Sequence, residues 1–379
     1  MAPGYEVRNR FFDELCNDKT LMWMGQNTNH FEPHSEVLKA INRSMDEGEY
    51  HIYAPPLGLE ELRRLIIADM GLPGASAMVT NGAVEALYNI CQLFNRPGKD
   101  FITTDPSWAW PMNFAKKSQA NVIQLPIYGD EGGYRLNIDA LKAAVNENTQ
   151  MIYIVDPNNP LGTCHTEDEI RQIAEVAKSV GAYLVHDSTY RHFAADYVSA
   201  YQFYPEKTFV TYSFSKWLGL AGMRLGAVIA APENIELLAS SPPNNLGCNI
   251  VAQRGAIAGL LTKDEWFPTV MRRLHRNQER VYDAVKRIPG LHIPVYPSQA
   301  NFLIIETEGA GIAPEALVAA YKDVNIMIRQ GQYHTKAFGH KFIKVSLTVP
   351  EEWVDAFCDH LPAMVQRVQA EEVAAPALF

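Results

Sequence analysis

No run of about 18 apolar residues occurs anywhere in this 379-residue chain, so a membrane-spanning helix is not expected. The first ten residues, Met-Ala-Pro-Gly-Tyr-Glu-Val-Arg-Asn-Arg, contain no apolar signal segment, and without one Asn42-Arg-Ser44 reads as a chance match to a glycosylation acceptor. Cysteine is sparse: Cys16, Cys91, Cys164, Cys248 and Cys358 are scattered without the paired spacing of a metal site, so no metal is expected and a reducing cytoplasm fits best. Positive charge is also in deficit, with 33 Lys and Arg against 43 Asp and Glu. The resulting net charge of −10 disfavours nonspecific nucleic-acid binding while leaving room for a local basic pocket. Internal repeats and low-complexity tracts are missing too. What remains is a globular composition, 47% hydrophobic and 20% charged, long enough for one large domain plus a smaller one, with a small molecule as the expected partner.

Apolar β-rich runs alternate with helical patterns through the middle of the chain. Met151–Val155, a charged helical pattern from Thr166 to Val180, and Ala182–His186 read as a parallel strand-helix-strand unit. Further strands are expected at 100–104, 121–125, 208–213 and 225–230, each apolar enough for a sheet buried on both faces. The fold class is therefore α/β, with a mainly parallel central sheet. After Cys248 a helix is expected through Arg273 to Ile288, stopped by Pro289-Gly290. Strands at 292–295, 301–305 and 342–347, with helices near 314–321 and 351–369, make a smaller α+β domain. The expected division is 46–285 for the large domain and 1–45 with 286–379 for the small one; the tail from Ala370 to Phe379 is expected to fray.

Chemistry is densest at Ser213-Phe-Ser-Lys-Trp-Leu-Gly-Leu-Ala-Gly-Met-Arg224. A lysine amine there can form a Schiff base with an aldehyde cofactor such as pyridoxal 5′-phosphate, and the serines and the guanidinium can hold its phosphate. A surface lysine beside a glycine-rich turn is the plainer reading. Asp187 follows directly on the strand Ala182–His186, at the carboxyl end where open α/β sheets bind ligands, and suits a pyridinium nitrogen as well as an ordinary loop. Tyr190 follows three residues later as a donor or as packing. Asn159, in Asp156-Pro-Asn-Asn-Pro-Leu-Gly162, offers an amide in what is otherwise a turn. Ala83 and Val84 open a helix whose N–H groups suit an anion, as many helix starts do. Trp108 suits a ring-stacking role and a core role equally. A dinucleotide site is disfavoured, because Gly219, Gly222 and Gly226 lack its spacing.

Taken in order, Tyr53-x4-Gly58-x3-Leu62-Arg63, Asn81-Gly-Ala83, Pro106-Ser-Trp108, Asn158-Asn-Pro-Leu-Gly162, Asp187-x2-Tyr190 and Ser213-x-Ser-Lys216-x7-Arg224 resemble the fold type I pyridoxal-phosphate enzymes, specifically the class I/II aminotransferases. The resemblance runs from about Gly25 to beyond Lys344. It implies that Lys216 binds the cofactor aldehyde and shuttles the proton, that Asp187 meets the pyridinium, and that Asn159 and Tyr190 donate to the ring oxygen. Trp108 would stack on the ring; Ser213, Ser215, Arg224 and the backbone at Ala83 and Val84 would hold the phosphate. Tyr53 matches a tyrosine that reaches the neighbouring protomer's phosphate, which implies a homodimer with shared sites.

At the substrate end the family's carboxylate-binding arginine falls on Lys344, a point charge without a fork. Arg329 is a second cation near it in sequence, at a position that also matches a structural stretch in relatives. Met24-Gly-Gln-Asn-Thr-Asn-His-Phe-Glu-Pro33 resembles the entry segment of histidinol-phosphate aminotransferase-like members, which makes Gln26, Asn27, Asn29 and His30 candidates to line the substrate mouth. The implied reaction is amino transfer between an amino acid and a 2-oxo acid. A lyase, a decarboxylase or an oxygen-dependent amino acid oxidase on the same scaffold is the alternative, since substrate orientation selects the bond that breaks. A noncatalytic regulator is a more distant one.

Overall fold

β-branched and aromatic runs set the strands, and the computed structural model, which describes residues 4–240 and 246–370, gathers them into three sheets. In chain order the strands are β1 (Met22–Trp23), β2 (Ser76–Thr80), β3 (Asp100–Asp105), β4 (Asn121–Pro126), β5 (Thr149–Val155), β6 (Tyr183–Asp187), β7 (Thr208–Ser213), β8 (Gly226–Ala230), β9 (Phe302–Glu306), β10 (Ile326–Met327), β11 (Arg329–Gln330) and β12 (Phe342–Ser346). The large sheet has the order β2-β8-β7-β6-β5-β3-β4. Its strands from β3 to β7 run parallel, and β8 is antiparallel to both of its neighbours. The architecture is thus α/β with a mostly parallel sheet.

The central strands are buried on both faces, as a sheet covered by helices requires; every residue of β7 and β8 is buried. Burial on both faces fails at β4, whose residues are exposed or half-buried, because it is the last strand and has one neighbour. The opposite edge, β2, is a strand not foreseen from the sequence. Helix Glu167–Ser179 covers the sheet where its charged pattern is expected. Thr166 accepts from the Glu169 N–H while Glu169 reaches back to the Thr166 backbone, a reciprocal cap, and Ile170, Ile173, Ala174, Val176 and Ala177 face inward.

The long helix spans Lys263–Val285, beginning ten residues before the expected start at Arg273. Pro268 lies within it, and the apolar stripe Phe267, Val270, Leu274 and Val281 is buried along its length. It ends at Val285, ahead of Ile288, and Pro289 disfavours helical backbone at the residue before it. The expected strand at 292–295 reduces to one bridge between His292 and Glu306, since Pro294 cannot donate to a ladder. A small antiparallel sheet, β11-β12-β9, pairs Arg329 with Lys344, while β1 runs parallel to β10. Helix Ser35–Asp46 packs against helix Ile250–Leu261, so close that a Cβ at Gly255 would lie 2.8 Å from Ile41. The expected boundary at 45/46 therefore cuts a helix that lies on the other domain's elements. Helix Glu351–Ala370 takes in the first residue of the expected tail, and 371–379 lie outside the described residues.

Candidate active site

Strands β5, β6 and β7 end together at Val155, Asp187 and Ser213, and a cavity of about 520 Å³ opens beyond these carboxyl ends. Lys216 leaves the turn after β7. Its neighbour Trp217 is fully buried against the His192 ring, with centroids 4.5 Å apart, which fixes the turn and leaves Lys216 on the cavity wall. The Lys216 Nζ donates to the Gln26 carbonyl at 3.0 Å. Burial first, and the nearby Arg224 charge second, lower its pKa from 10.5 to about 8, against an opposing pull from Asp187. A lowered lysine pKa means that the nucleophilic neutral amine appears as pH rises through about 8 instead of through the ordinary lysine range. The rate at which cofactor-free protein captures pyridoxal phosphate should therefore climb about tenfold per pH unit below that point and level off above it. A rate still climbing near the ordinary lysine value would contradict the assignment.

Asp187 is buried and accepts four hydrogen bonds. Its Oδ1 takes the Thr189 N–H at 3.2 Å, the Thr189 hydroxyl at 2.7 Å and the Thr211 hydroxyl at 2.8 Å, while Oδ2 takes the Tyr153 hydroxyl at 3.0 Å. Register places Thr211 directly across from Asp187 on β7. Burial and the Asp187 charge push the Tyr153 hydroxyl well above 10, so it stays protonated and remains a donor. The carboxylate is held as a fixed acceptor at the cavity wall.

A polar cradle lies a short way along the same cavity wall. Helix Ala83–Phe94 opens toward it, and the first N–H groups of a helix have no partner within the helix. Gly82 has φ +80, and a Cβ there would lie 2.3 Å from Arg224 Nη2, so only glycine lets the guanidinium approach the helix start. Arg224 is itself left-handed at φ 54, with Nη1 on the Ala221 carbonyl at 2.9 Å and Nη2 on the Asn81 carbonyl at 3.3 Å. Ser213 and Ser215 complete the rim, the Ser213 hydroxyl accepting from the Ser215 N–H at 3.2 Å. Hydroxyls, helix N–H groups and a guanidinium around a gap that a Cβ would fill suit a dianionic phosphate, and this chemistry fits pyridoxal phosphate.

Tyr190 and Asn159 meet across the cavity through Asn27. The Asn27 amide donates to the Tyr190 hydroxyl at 2.9 Å and to Asn159 Oδ1 at 3.5 Å, and its backbone, at φ 56, is fixed to Ser346 by an N–H···Oγ bond of 2.8 Å. Asn159 Oδ1 also accepts from Lys344 Nζ at 3.2 Å, which leaves its NH2 group as a donor. Trp108 is half-buried on the cavity wall. Lys344 is only 3% exposed, lies over the Phe302 ring, and has its pKa driven well below the usual lysine value by burial, then by the Arg329 and Lys216 charges.

The entry segment divides. Gln26 and Asn27 line the cavity, but the expectation for Asn29 and His30 is corrected. Asn29 turns away to donate to the Trp217 carbonyl at 2.9 Å and accepts from the Phe31 N–H, holding the lysine turn from behind. His30 packs on Trp353 with centroids 5.1 Å apart and bonds the Thr28 hydroxyl at 2.8 Å. The left-handed Asn27 reverses the chain there, so consecutive side chains do not share a wall. Tyr53 lies outside this cavity and is 79% exposed. Sequence reasoning missed Arg8 and Phe12, which helix Tyr5–Asn17 brings to the wall, as well as Tyr333 and His334 from the turn between β11 and β12. It also missed Tyr153 and Thr211 behind Asp187, although both lie in strands that were foreseen.

Among the described residues no helix is long and apolar enough to cross a membrane, and no group of His, Cys, Asp or Glu could hold a metal ion.

A family model for aminotransferase class I and II matches residues 19–361. The chain is 26% identical over 317 residues to an aspartate aminotransferase of Pyrococcus horikoshii, covering 80% of each chain. It is 32% identical over 303 residues to a histidinol-phosphate aminotransferase 2 of Carboxydothermus hydrogenoformans, covering 78% of each. Among solved structures, N-succinyldiaminopimelate aminotransferase from Mycobacterium tuberculosis superposes with a TM-score of 0.84 at 21% identity, covering 96% of this chain and all of that one. That likeness speaks to the fold.

Proposed function

The chain belongs to the class I and II aminotransferases, and from that premise we propose how its residues divide the work. It is a pyridoxal-phosphate-dependent aminotransferase, moving an amino group between an amino acid and a 2-oxo acid; relatives named as aspartate, histidinol-phosphate and aromatic amino acid aminotransferases do not favour a lyase, decarboxylase or oxidase. The bound cofactor supplies an electron-withdrawing ring that stabilises negative charge at the substrate α-carbon. Lys216 is its attachment point and, as a neutral amine, takes the proton from that carbon and returns it. Asp187 holds the proton on the pyridine nitrogen. Asn159 and Tyr190 donate to the ring oxygen, and Trp108 covers the ring. Ser213, Ser215, Arg224 and the N–H groups of Ala83 and Val84 hold the phosphate.

The observation that carries the substrate assignment is Lys344, a buried amine on the cavity wall that donates to the neutral amide of Asn159, with Arg329 paired opposite it across β11 and β12. Burial without a counter-charge disfavours the ammonium form of Lys344, and an arriving anion restores it. We therefore assign the α-carboxylate of the amino acid and of the oxo acid to Lys344. Lys344→Ala should raise KM for the amino acid by about 10–100-fold, the range expected from losing a charged hydrogen bond, with a smaller change in kcat. An unchanged KM would overturn the assignment.

Three further features follow the same reading. Tyr50, Ile52 and Tyr53 are 57%, 59% and 79% exposed on one segment, and this apolar surface supports a homodimer in which Tyr53 reaches the partner's phosphate site. Five free cysteines support a reducing cytoplasm. A small domain built from both ends of the chain is supported by the pairing of β1 with β10, with helix Ser35–Asp46 going with the cofactor-holding domain on which it packs.

A further inference from the structure

We propose that His334 contacts the substrate carboxylate beside Lys344 and supplies the second, directional donor that a lysine lacks. The proposal rests on the assignment of that carboxylate to Lys344. His334 lies in the turn between β11 and β12, the strands that carry Arg329 and Lys344, and its backbone N–H is anchored on the Gly331 carbonyl at 2.8 Å. The residue is 4% exposed and lines the cavity. Neither ring nitrogen has a hydrogen-bond partner among the described residues.

Other enclosed histidines behave differently. His165 bonds Asp156 at 2.8 Å, His186 accepts from the Ala200 N–H at 3.1 Å, and His192 reaches Asp69 at 3.1 Å and the Tyr212 hydroxyl at 3.1 Å. Each of those rings is tied into the fold. Among the described residues the His334 ring's aromatic contact is the edge of Tyr333, at 5.0 Å and 86°. A buried polar group left without a partner is destabilising, so the protein keeps this one for what enters the cavity.

The surroundings say what that is. Burial, then the Lys344 and Arg329 charges, lower the His334 pKa well below 6.5, so the ring enters binding as a neutral imidazole with one N–H and one lone pair. The nearby Lys344 and Arg329 select an anionic, acceptor-rich group. Lysine binds a carboxylate as a point charge, without the fixed fork of arginine. One N–H from Lys344 and one from His334 give the two carboxylate oxygens separate donors from separate directions. An amine without a carboxylate leaves both donors unpaired and is discriminated against on that ground.

The test uses the holoenzyme with the fastest of the twenty common L-amino acids as donor, and with the amine left by removing its α-carboxyl group. Cofactor absorbance reports the half-reaction. His334→Phe keeps a ring and removes both nitrogens; His334→Gln keeps a donor. The phenylalanine variant should weaken the apparent affinity for the amino acid by at least about tenfold and leave the amine's unchanged. The glutamine variant should recover part of the loss. The melting temperature of His334→Phe should hold or rise, because the ring nitrogens satisfy nothing in the fold. Equal losses for amino acid and amine, no loss for either, or a collapsed melting temperature in both variants would overturn the proposal. Lys344→Ala run in parallel separates the two readings: if it weakens the amino acid and His334→Phe does not, only the role of His334 falls; if neither does, both fall.

Discussion

Replacing Lys216 by alanine is expected to lower the rate of amino transfer by at least about 10³-fold, because one side chain serves as cofactor attachment and as proton carrier. The local geometry isolates that loss. Trp217 is fully buried, Asn29 holds the Trp217 carbonyl, and Asp187 is fixed by its own four donors, so removing the Lys216 side chain leaves the turn and the phosphate cradle standing. The variant should still bind pyridoxal phosphate without a covalent link, and a small added amine should restore part of the rate. Steady-state rates for the two proteins under matched cofactor saturation check this. An alanine variant within tenfold of the parent would mean that another group moves the proton.

Asp187→Asn should cost about 10²–10³-fold in kcat, a loss of the size seen when one member of a buried charged pair is removed. The substitution keeps shape and removes charge. Tyr153, Thr189 and Thr211 all donate to Asp187, and the hydroxyls can re-aim toward an amide, so the fold should survive. The effect belongs in kcat, since the carboxylate holds a proton on the pyridine nitrogen and does not touch the substrate. Cofactor affinity should fall as well. A variant that lost substrate affinity and kept kcat would contradict the assigned role.

The parts legible in the sequence are those that local rules determine. Helix Glu167–Ser179 announces itself by Thr166 and Glu169 three residues apart, and β5 to β7 by apolar runs that reach polar residues at or just past their carboxyl ends. Asp187, Lys216 and Arg224 lie on those ends or on the turns that leave them, so their convergence follows from strand order. The illegible parts depend on distant contacts. β4 reads like its neighbours and differs only in lying at an edge. Asn29 and His30 diverge from Gln26 and Asn27 because Asn27 is left-handed, and Ser346, 319 positions away, fixes it there. Arg8 and Phe12 reach the wall on a helix with no buried residue of its own. His334 has no local pattern at all; its environment comes from Lys344 and Arg329 on two strands.

This cavity transfers an amino group and does no other chemistry on the same cofactor. A single half-reaction tests it: holoenzyme is mixed with a large excess of an accepted L-amino acid and no oxo acid, and products are counted per subunit. One equivalent of 2-oxo acid is expected, with a loss of the visible cofactor band and then no further turnover until an oxo acid is added. Continuous release of ammonia, carbon dioxide or peroxide without an oxo acid would contradict it.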